Sequence, residues 1–196
     1  MIDVDEIRDH LARHEARRIE EKGGPFAAVA MILAGGPRDP AVLFIERARR
    51  LGDPWSGHMA FPGGRVEHED PDVRRTAERE TFEEVGIDLR RGELLGRLDD
   101  QAGRRAGTDW AGRGIAGYVY HLTQALPVEP SPEVEEALWV RTSALLEPSN
   151  RVDYSVSYAP GVFPGILVGK PDRHIIWGLT YRFLESLLAI LGRRID

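Results

Sequence analysis

The sequence has no cysteine, which removes disulfides, zinc–thiolate centres and thiol nucleophiles from consideration together. Lysine stands only at positions 22 and 170, so the basic residues are almost all arginine. Given that bias, an arginine cluster is weak evidence for phosphate binding by itself. Long apolar runs are missing as well. The most apolar late stretch, Ile175 to Leu191, carries Arg182 and Glu185 and reads as an amphipathic core helix, not a membrane span. Met1 to Glu21 is charged throughout and lacks the apolar core of a secretory signal, so a cytoplasmic location is the expectation. Positive charge is not in excess either. The formal net charge is −6, and no field covers the molecule to attract a polyphosphate backbone, so neither nucleic acid nor membrane is expected as a partner. An anionic substrate must be met by local cations or by a metal.

What is present suits one globular domain over residues 1–196, with 42% hydrophobic and 30% charged residues. Residues 4–22 predict a polar N-terminal helix. Phe26 to Leu33 is a buried strand, Gly35 to Pro40 a turn, and Val42 to Arg47 the returning strand. A loop from Ala48 to Gly57 leads to a short apolar stretch closed by Pro62-Gly63-Gly64. A helix then runs to Gly86, with Asp70 as N-cap and Pro71 at its first position. Strands are expected at Glu93 to Leu98, Ile115 to Leu122 and Ala137 to Val140, with a long Gly/Arg-rich segment, Ala102 to Gly114, between the first two. Ser143 to Glu147 reads as a helical turn, Tyr154 to Tyr158 and Val162 to Val168 as a hairpin, and residues 175–192 as the closing helix. There is no regular βαβ alternation, no internal repeat and no domain boundary, which points to a layered α+β fold.

The informative segment is Arg79-Glu80-Thr81-Phe82-Glu83-Glu84-Val85-Gly86-Ile87. On a helix, positions 80, 83 and 84 share one face. Each like-charged pair at that spacing costs roughly 0.2–0.5 kcal/mol, more if desolvated. Arg79 is the near neighbour able to offset it, while Ala77, Thr81 and Val85 form a stripe suited to packing on a sheet. Three carboxylates on one turn fit a hard divalent cation such as Mg²⁺, shared with substrate phosphates. A solvated acidic helix face is the alternative reading of this segment alone.

Upstream, Phe61-Pro62-Gly63-Gly64 offers glycines that let backbone carbonyls approach a metal. Together the two segments resemble the Nudix box, although the loop between them is one residue longer than the common spacing. Pro71 stands where the pattern has a Glu that supports the arginine, so Asp70 or Glu69 has to replace it. The resemblance implies an αβα sandwich around a mixed sheet, with the carboxylate helix facing a cleft. It implies Mg²⁺ or Mn²⁺ held by Glu80 and Glu84 with a carbonyl of Gly63 or Gly64, and a second ion or its water bound by Glu83. It also implies that Arg79 orients Glu80, and that a later Glu serves as general base. Glu133, in Ser131-Pro132-Glu133-Val134-Glu135-Glu136, is the candidate for that base, with Glu136 second; a charged turn without catalytic role is the plainer reading. Glu84, Glu83, Arg79 and Glu133 are thus the expected catalytic group. Dimers are common in the family, and a homodimer is carried as an expectation.

Leu43 to Arg47, the approach to the diglycine, the longer box and Trp177-Gly178-Leu179-Thr180 are similar to coenzyme A pyrophosphatases. That likeness implies cleavage of the diphosphate of coenzyme A or its thioesters, with Arg47, Gly63 and Gly64 at the substrate. Gly52 to His58 and the 102–114 segment depart from that pattern. Trp55 and Trp110 are candidates for stacking on a base, and Arg104, Arg105 and Arg113 for meeting phosphates; simple packing and solvation are the plainer readings. His58 reads as a loop residue, and Trp177 and Tyr181 as core residues of the last helix. Hydrolysis of ADP-ribose, nucleotide sugars or dinucleoside polyphosphates is the alternative activity, and a non-catalytic ligand-sensing module the alternative class. Sensing modules typically lose the box carboxylates, which this chain keeps. The isomerase use of the fold usually needs a cysteine, which this chain lacks.

Overall fold

A computed structural model of the chain describes residues 2–19, 25–52, 55–103, 113–156 and 158–195. Strand β1 (Pro25–Ala34) runs through the middle of the main sheet. It is covered on both faces, which is why its sequence reads as a continuous apolar run and not as an alternation. Strand β2 (Ala41–Arg47) pairs with it antiparallel and β7 (Gly114–Leu122) parallel. Strands β3 (Met59–Ala60) and β8 (Val134–Arg141) add to β2, β4 (Gly63–Arg65) adds to β1, and β5 (Glu93–Arg97) and β6 (Gln101–Ala102) add to β7. Among the described residues this gives a mixed sheet of eight strands. A second, antiparallel sheet joins β9 (Arg151–Val156), β10 (Ala159–Leu167) and β11 (Ile175–Trp177).

Helices cover the main sheet on two sides, the αβα layering expected from the sequence. Helix α2 (Val73–Val85) lies on the face carrying Ala28, Ala30, Ile32, Leu43 and Ile45. Helices α1 (Val4–Arg13) and α4 (Gly178–Ile190) pack on the face carrying Met31, Leu33, Val42 and Phe44. A short helix α3 (Thr142–Leu146) follows β8. The first face is lined with small residues. Ala28, Ala30, Ala77 and Ala116 are all fully buried, so α2 sits close to the sheet and its carboxylates start near the β4 backbone.

Several boundaries differ from the sequence reading. The N-terminal helix stops at Arg13 instead of continuing to position 22, the last three residues of that range lying outside the described part. Acceptors elsewhere in the molecule take its next backbone donors: Arg17 N–H donates to Asp99 Oδ1 (3.0 Å) and Ile19 N–H to Asp100 Oδ2 (2.9 Å). Asp72, not Asp70, caps α2, accepting from Arg75 N–H at 3.0 Å; the Asp70 carboxylate is engaged by Arg79. The closing helix begins at Gly178, because the preceding Ile175-Ile176-Trp177 pairs with β10. β-Branched residues favour that extended state. Gly178 (φ +60) supplies the left-handed turn into the helix. The strands at 26–33, 42–47, 93–98 and 115–122 fall where expected to within one residue, and the hairpin forms with both of its strands beginning earlier than expected, at Arg151 and Ala159. The short strands β3, β4 and β6 carry too few residues to show a period.

Candidate active site

Strand β4 and helix α2 build the site between them. Gly64 pairs with Ala28 and Gly63 with Val29. A Cβ at Gly64 would overlap the Glu80 carboxylate, and one at Gly63 (φ +152) would overlap the backbone oxygen of Ala28. The diglycine is therefore a steric requirement on two sides: sheet pairing for Gly63 and carboxylate approach for Gly64. Gly63 N–H also donates to Glu84 Oε2 at 2.9 Å, tying the loop to the helix.

The three helix carboxylates share a face but not an environment. Glu84 is only 4% exposed, the Glu80 side chain is 17% exposed and that of Glu83 is 56% exposed. Burial pushes the Glu84 carboxyl up to about 8; the Gly63 N–H and the charge of Arg47 oppose this, and the charges of Glu80 and Glu133 add to it. Burial also raises Glu80, against the pull of Arg79. The protein thus holds two neighbouring carboxylates without enough internal positive charge to keep Glu84 ionised near neutrality. Hard oxygen donors in that state fit a divalent cation, which supplies the missing charge.

Arg79 is the hub of the cluster. Its Nε and Nη2 donate to Asp70 Oδ1 (2.9 Å) and Oδ2 (3.0 Å), a two-pronged pairing. Nη1 reaches Glu80 Oε1 and Glu83 Oε2, both at 3.1 Å, and Nη2 also donates to the Arg65 carbonyl at 3.1 Å. Asp70 in turn accepts from Thr76 Oγ1 (2.8 Å) and Glu67 N–H (3.0 Å). Chiefly through Arg79, its carboxyl is held down at about 2, and Arg79 is raised in return. Of the two residues named for the missing box Glu, Asp70 makes the pairing.

Glu133 is brought near from far along the chain. Glu129 and Ser131 N–H groups donate to the α2 carbonyls of Val85 (3.0 Å) and Glu84 (2.9 Å), satisfying the C-terminal end of the helix. The chain then delivers Glu133 close enough to Glu84 for their charges to interact. Glu133 is 54% exposed and accepts from Arg50 Nη2 at 3.0 Å. The segment turns at Pro132 and Glu133 and enters β8 at Val134. Arg47, at the end of β2, opposes the rise at Glu84 through its charge.

Other expectations separate. Trp110, Arg104 and Arg105 lie outside the described residues. Arg113 stacks on the Phe26 ring at 4.6 Å. Tyr181 is buried in α4 as expected, but Trp177 belongs to β11 and stands among aromatic rings, His58 included. Glu136, the second candidate for general base, lies elsewhere. Strand alternation turns Glu46 to the α4 side of the sheet, where it meets Glu136, Arg173, His174 and Lys170. Arg173 Nε and Nη2 donate to Glu46, and Lys170 Nζ donates to Glu136 at 2.8 Å. His174 Nδ1 accepts from Lys170 N–H at 3.1 Å, so its proton sits on Nε2, which faces both carboxylates at 3.3–3.4 Å. Glu46, Glu136 and His174 have ligand spacing for a metal, but cationic side chains already neutralise this group. Sequence reasoning missed it because Glu46 lies in an otherwise apolar strand, far along the chain from the turn before β11; a charged residue buried in a strand was the available signal.

Comparisons with known proteins agree with this geometry. A family model for the NUDIX domain matches residues 24–159. The chain is 30% identical over 191 residues to the mitochondrial coenzyme A diphosphatase NUDT8 of Mus musculus, covering 97% of this chain and 88% of that protein. It is 40% identical over 116 residues to an uncharacterized protein of Schizosaccharomyces pombe, covering 56% of this chain but spanning only 34% of that protein. A crystal structure of the Nudix hydrolase RenU from M. smegmatis superposes with a TM-score of 0.50 at 19% identity, covering 65% of this chain and 81% of that one, which bears on the fold. With the domain match, the full-length relative and the carboxylate helix set against the diglycine, the chain belongs to the NUDIX hydrolase family.

Proposed function

We propose that this Nudix hydrolase cleaves the diphosphate linkage of coenzyme A or its thioesters, releasing adenosine 3′,5′-bisphosphate and a 4′-phosphopantetheine product. One observation carries the reading: Glu84, 4% exposed, is sunk beside Glu80 against the diglycine, accepting the Gly63 N–H at 2.9 Å while Glu80 lies against Gly64. A site of that kind would hold a divalent ion, which would supply positive charge next to the substrate phosphates. The mouse relative, a coenzyme A diphosphatase similar to this chain over nearly its full length, supports that substrate.

In this proposal Glu80, Glu83 and Glu84, with a carbonyl of Gly63 or Gly64, hold Mg²⁺ or Mn²⁺. When bound, the ion lowers the pKa of a water and neutralises charge on the leaving phosphate. Arg79, fixed by Asp70, holds Glu80 and Glu83 in place. Arg47 meets an anionic part of the substrate. Glu133, partly exposed and near Glu84, takes the proton from the attacking water. The proposal includes a cytoplasmic location and a homodimer, checked by cell fractionation and by sedimentation.

A Mg²⁺- or Mn²⁺-supplemented screen tests the reading, using coenzyme A, acetyl-coenzyme A, ADP-ribose, a nucleotide sugar and a dinucleoside polyphosphate. The coenzyme A compounds should give the highest kcat/KM, and chelation should abolish turnover. Faster cleavage of another member, or metal-independent turnover, overturns the assignment.

A further inference from the structure

Five aromatic side chains gather at the edge of the fold next to Arg47. Trp177 is the centre, with ring centroids of His58 at 5.0 Å (edge-on, 76°), Tyr154 at 5.1 Å, Phe163 at 5.4 Å and Tyr158 at 6.5 Å. Tyr154 and Phe163 are cross-strand partners in the smaller sheet. The cluster is open on one side: Tyr158 keeps 46% of its surface exposed, and Trp177 and His58 are partly exposed.

The platform is tied to the carboxylate site by short backbone links. Arg47 N–H donates to the His58 carbonyl at 3.0 Å, and Gly57 N–H donates to the Arg47 carbonyl at 2.9 Å. His58 leads through β3 directly into Phe61-Pro62-Gly63-Gly64, and Thr180 Oγ1 donates to the Met59 carbonyl at 3.0 Å, fixing β3 against the start of α4. The Arg49 guanidinium lies over Gly57, 3.7 Å from where a Cβ would stand. Arg47 and Arg49 therefore lie on the segment that is hydrogen-bonded to the one carrying His58 and leading into the diglycine. A half-open aromatic surface with guanidinium groups on the adjoining segment complements the base and the phosphate of a phosphorylated nucleoside.

We propose that Trp177, Tyr158 and His58 form the subsite for the nucleobase of the ligand, with Arg47 and Arg49 meeting its phosphate. This rests on the proposed class of substrate, a nucleoside-diphosphate derivative, and deepens it by assigning the base. Aromatic rings of this kind hold a base through its π face, an interaction worth about 5- to 150-fold in affinity.

The test is calorimetric binding of adenosine 5′-monophosphate against inorganic phosphate in Mg²⁺. Neither probe has a phosphoanhydride bond, so the result is independent of whether the chain hydrolyses anything. The unsubstituted protein should bind the nucleotide about ten-fold or more tighter than phosphate. Tyr158→Ala and Trp177→Leu should each erase that advantage while phosphate affinity stays within about two-fold, and Tyr158→Phe and Trp177→Phe should keep it. Circular dichroism checks that each variant is folded. Trp177→Leu removes a packed ring, so the exposed Tyr158→Ala is the deciding variant. Equal affinity of the unsubstituted protein for the two probes overturns the proposal, and so does a nucleotide advantage that survives in Tyr158→Ala.

Discussion

Glu84→Gln should inactivate the enzyme and, in the same molecule, stabilise the metal-free fold. The Glu84 carboxyl is driven from its ordinary 4.5 to about 8, first by burial. Below its unfolded value the group is neutral in both states and carries no penalty. As pH rises from about 4.5 towards 8, the unfolded chain releases this proton while the folded chain retains it, so stability falls across that window. The full loss, reached above pH 8, amounts to about 5 kcal/mol. Glutamine removes the charge and keeps an oxygen that can accept the Gly63 N–H, so most of this penalty should disappear. For a chain of this length each kcal/mol moves Tm by roughly 2–4 °C. In chelator at pH 8 the variant should therefore melt roughly 5–15 °C above the parent, with the difference shrinking towards zero at pH 5. Added Mg²⁺ should raise the Tm of the parent and leave that of the variant almost unchanged, while turnover of the variant drops by orders of magnitude. Differential scanning calorimetry across pH, with and without metal, reads all of this. A variant less stable than its parent in chelator at pH 8, or a Tm difference independent of pH, would refute the burial argument.

Asp70→Asn should cost about 2 kcal/mol at pH 7, because the carboxyl held at about 2 by Arg79 is charged there in both states. That contribution is lost as pH falls from 3.8 through 2, and urea titrations at pH 7 and pH 2 should show it. Gly64→Ala and Gly63→Ala should separate by mechanism. The first displaces the Glu80 side chain and should lower kcat with a modest Tm change, whereas the second meets the Ala28 backbone and should destabilise the fold itself. Paired kinetics and melting curves compare them. Glu133→Gln should lower kcat about 10²- to 10⁴-fold as a general-base loss, with metal affinity by calorimetry little changed; normal turnover would remove Glu133 from the mechanism.

The local chemistry was legible along the chain. The i, i+3, i+4 spacing put Glu80, Glu83 and Glu84 on one helix face, Ala77, Thr81 and Val85 on the buried one, and a stop at Gly86, because helix periodicity and capping are properties of a few neighbouring residues. The longer strands were legible as well, because their runs of apolar residues carry their own period. Contacts between distant segments became visible once the elements had packed. Asp70 left its expected capping place because Arg79 offers two charged hydrogen bonds nine residues away. Ile175 to Trp177 became a strand because β10 was there to pair with it. The unequal burial of three adjacent glutamates, from 4% at Glu84 to a 56% exposed side chain at Glu83, depends on where β4 lies. Trp177 moved from an expected core helix to the rim beside His58 because β11 packs against β3. Spacing along one helix is read directly from the chain. The dielectric around a carboxylate and the partner of a strand are set by residues many positions away, and those exist only once the sheet has formed.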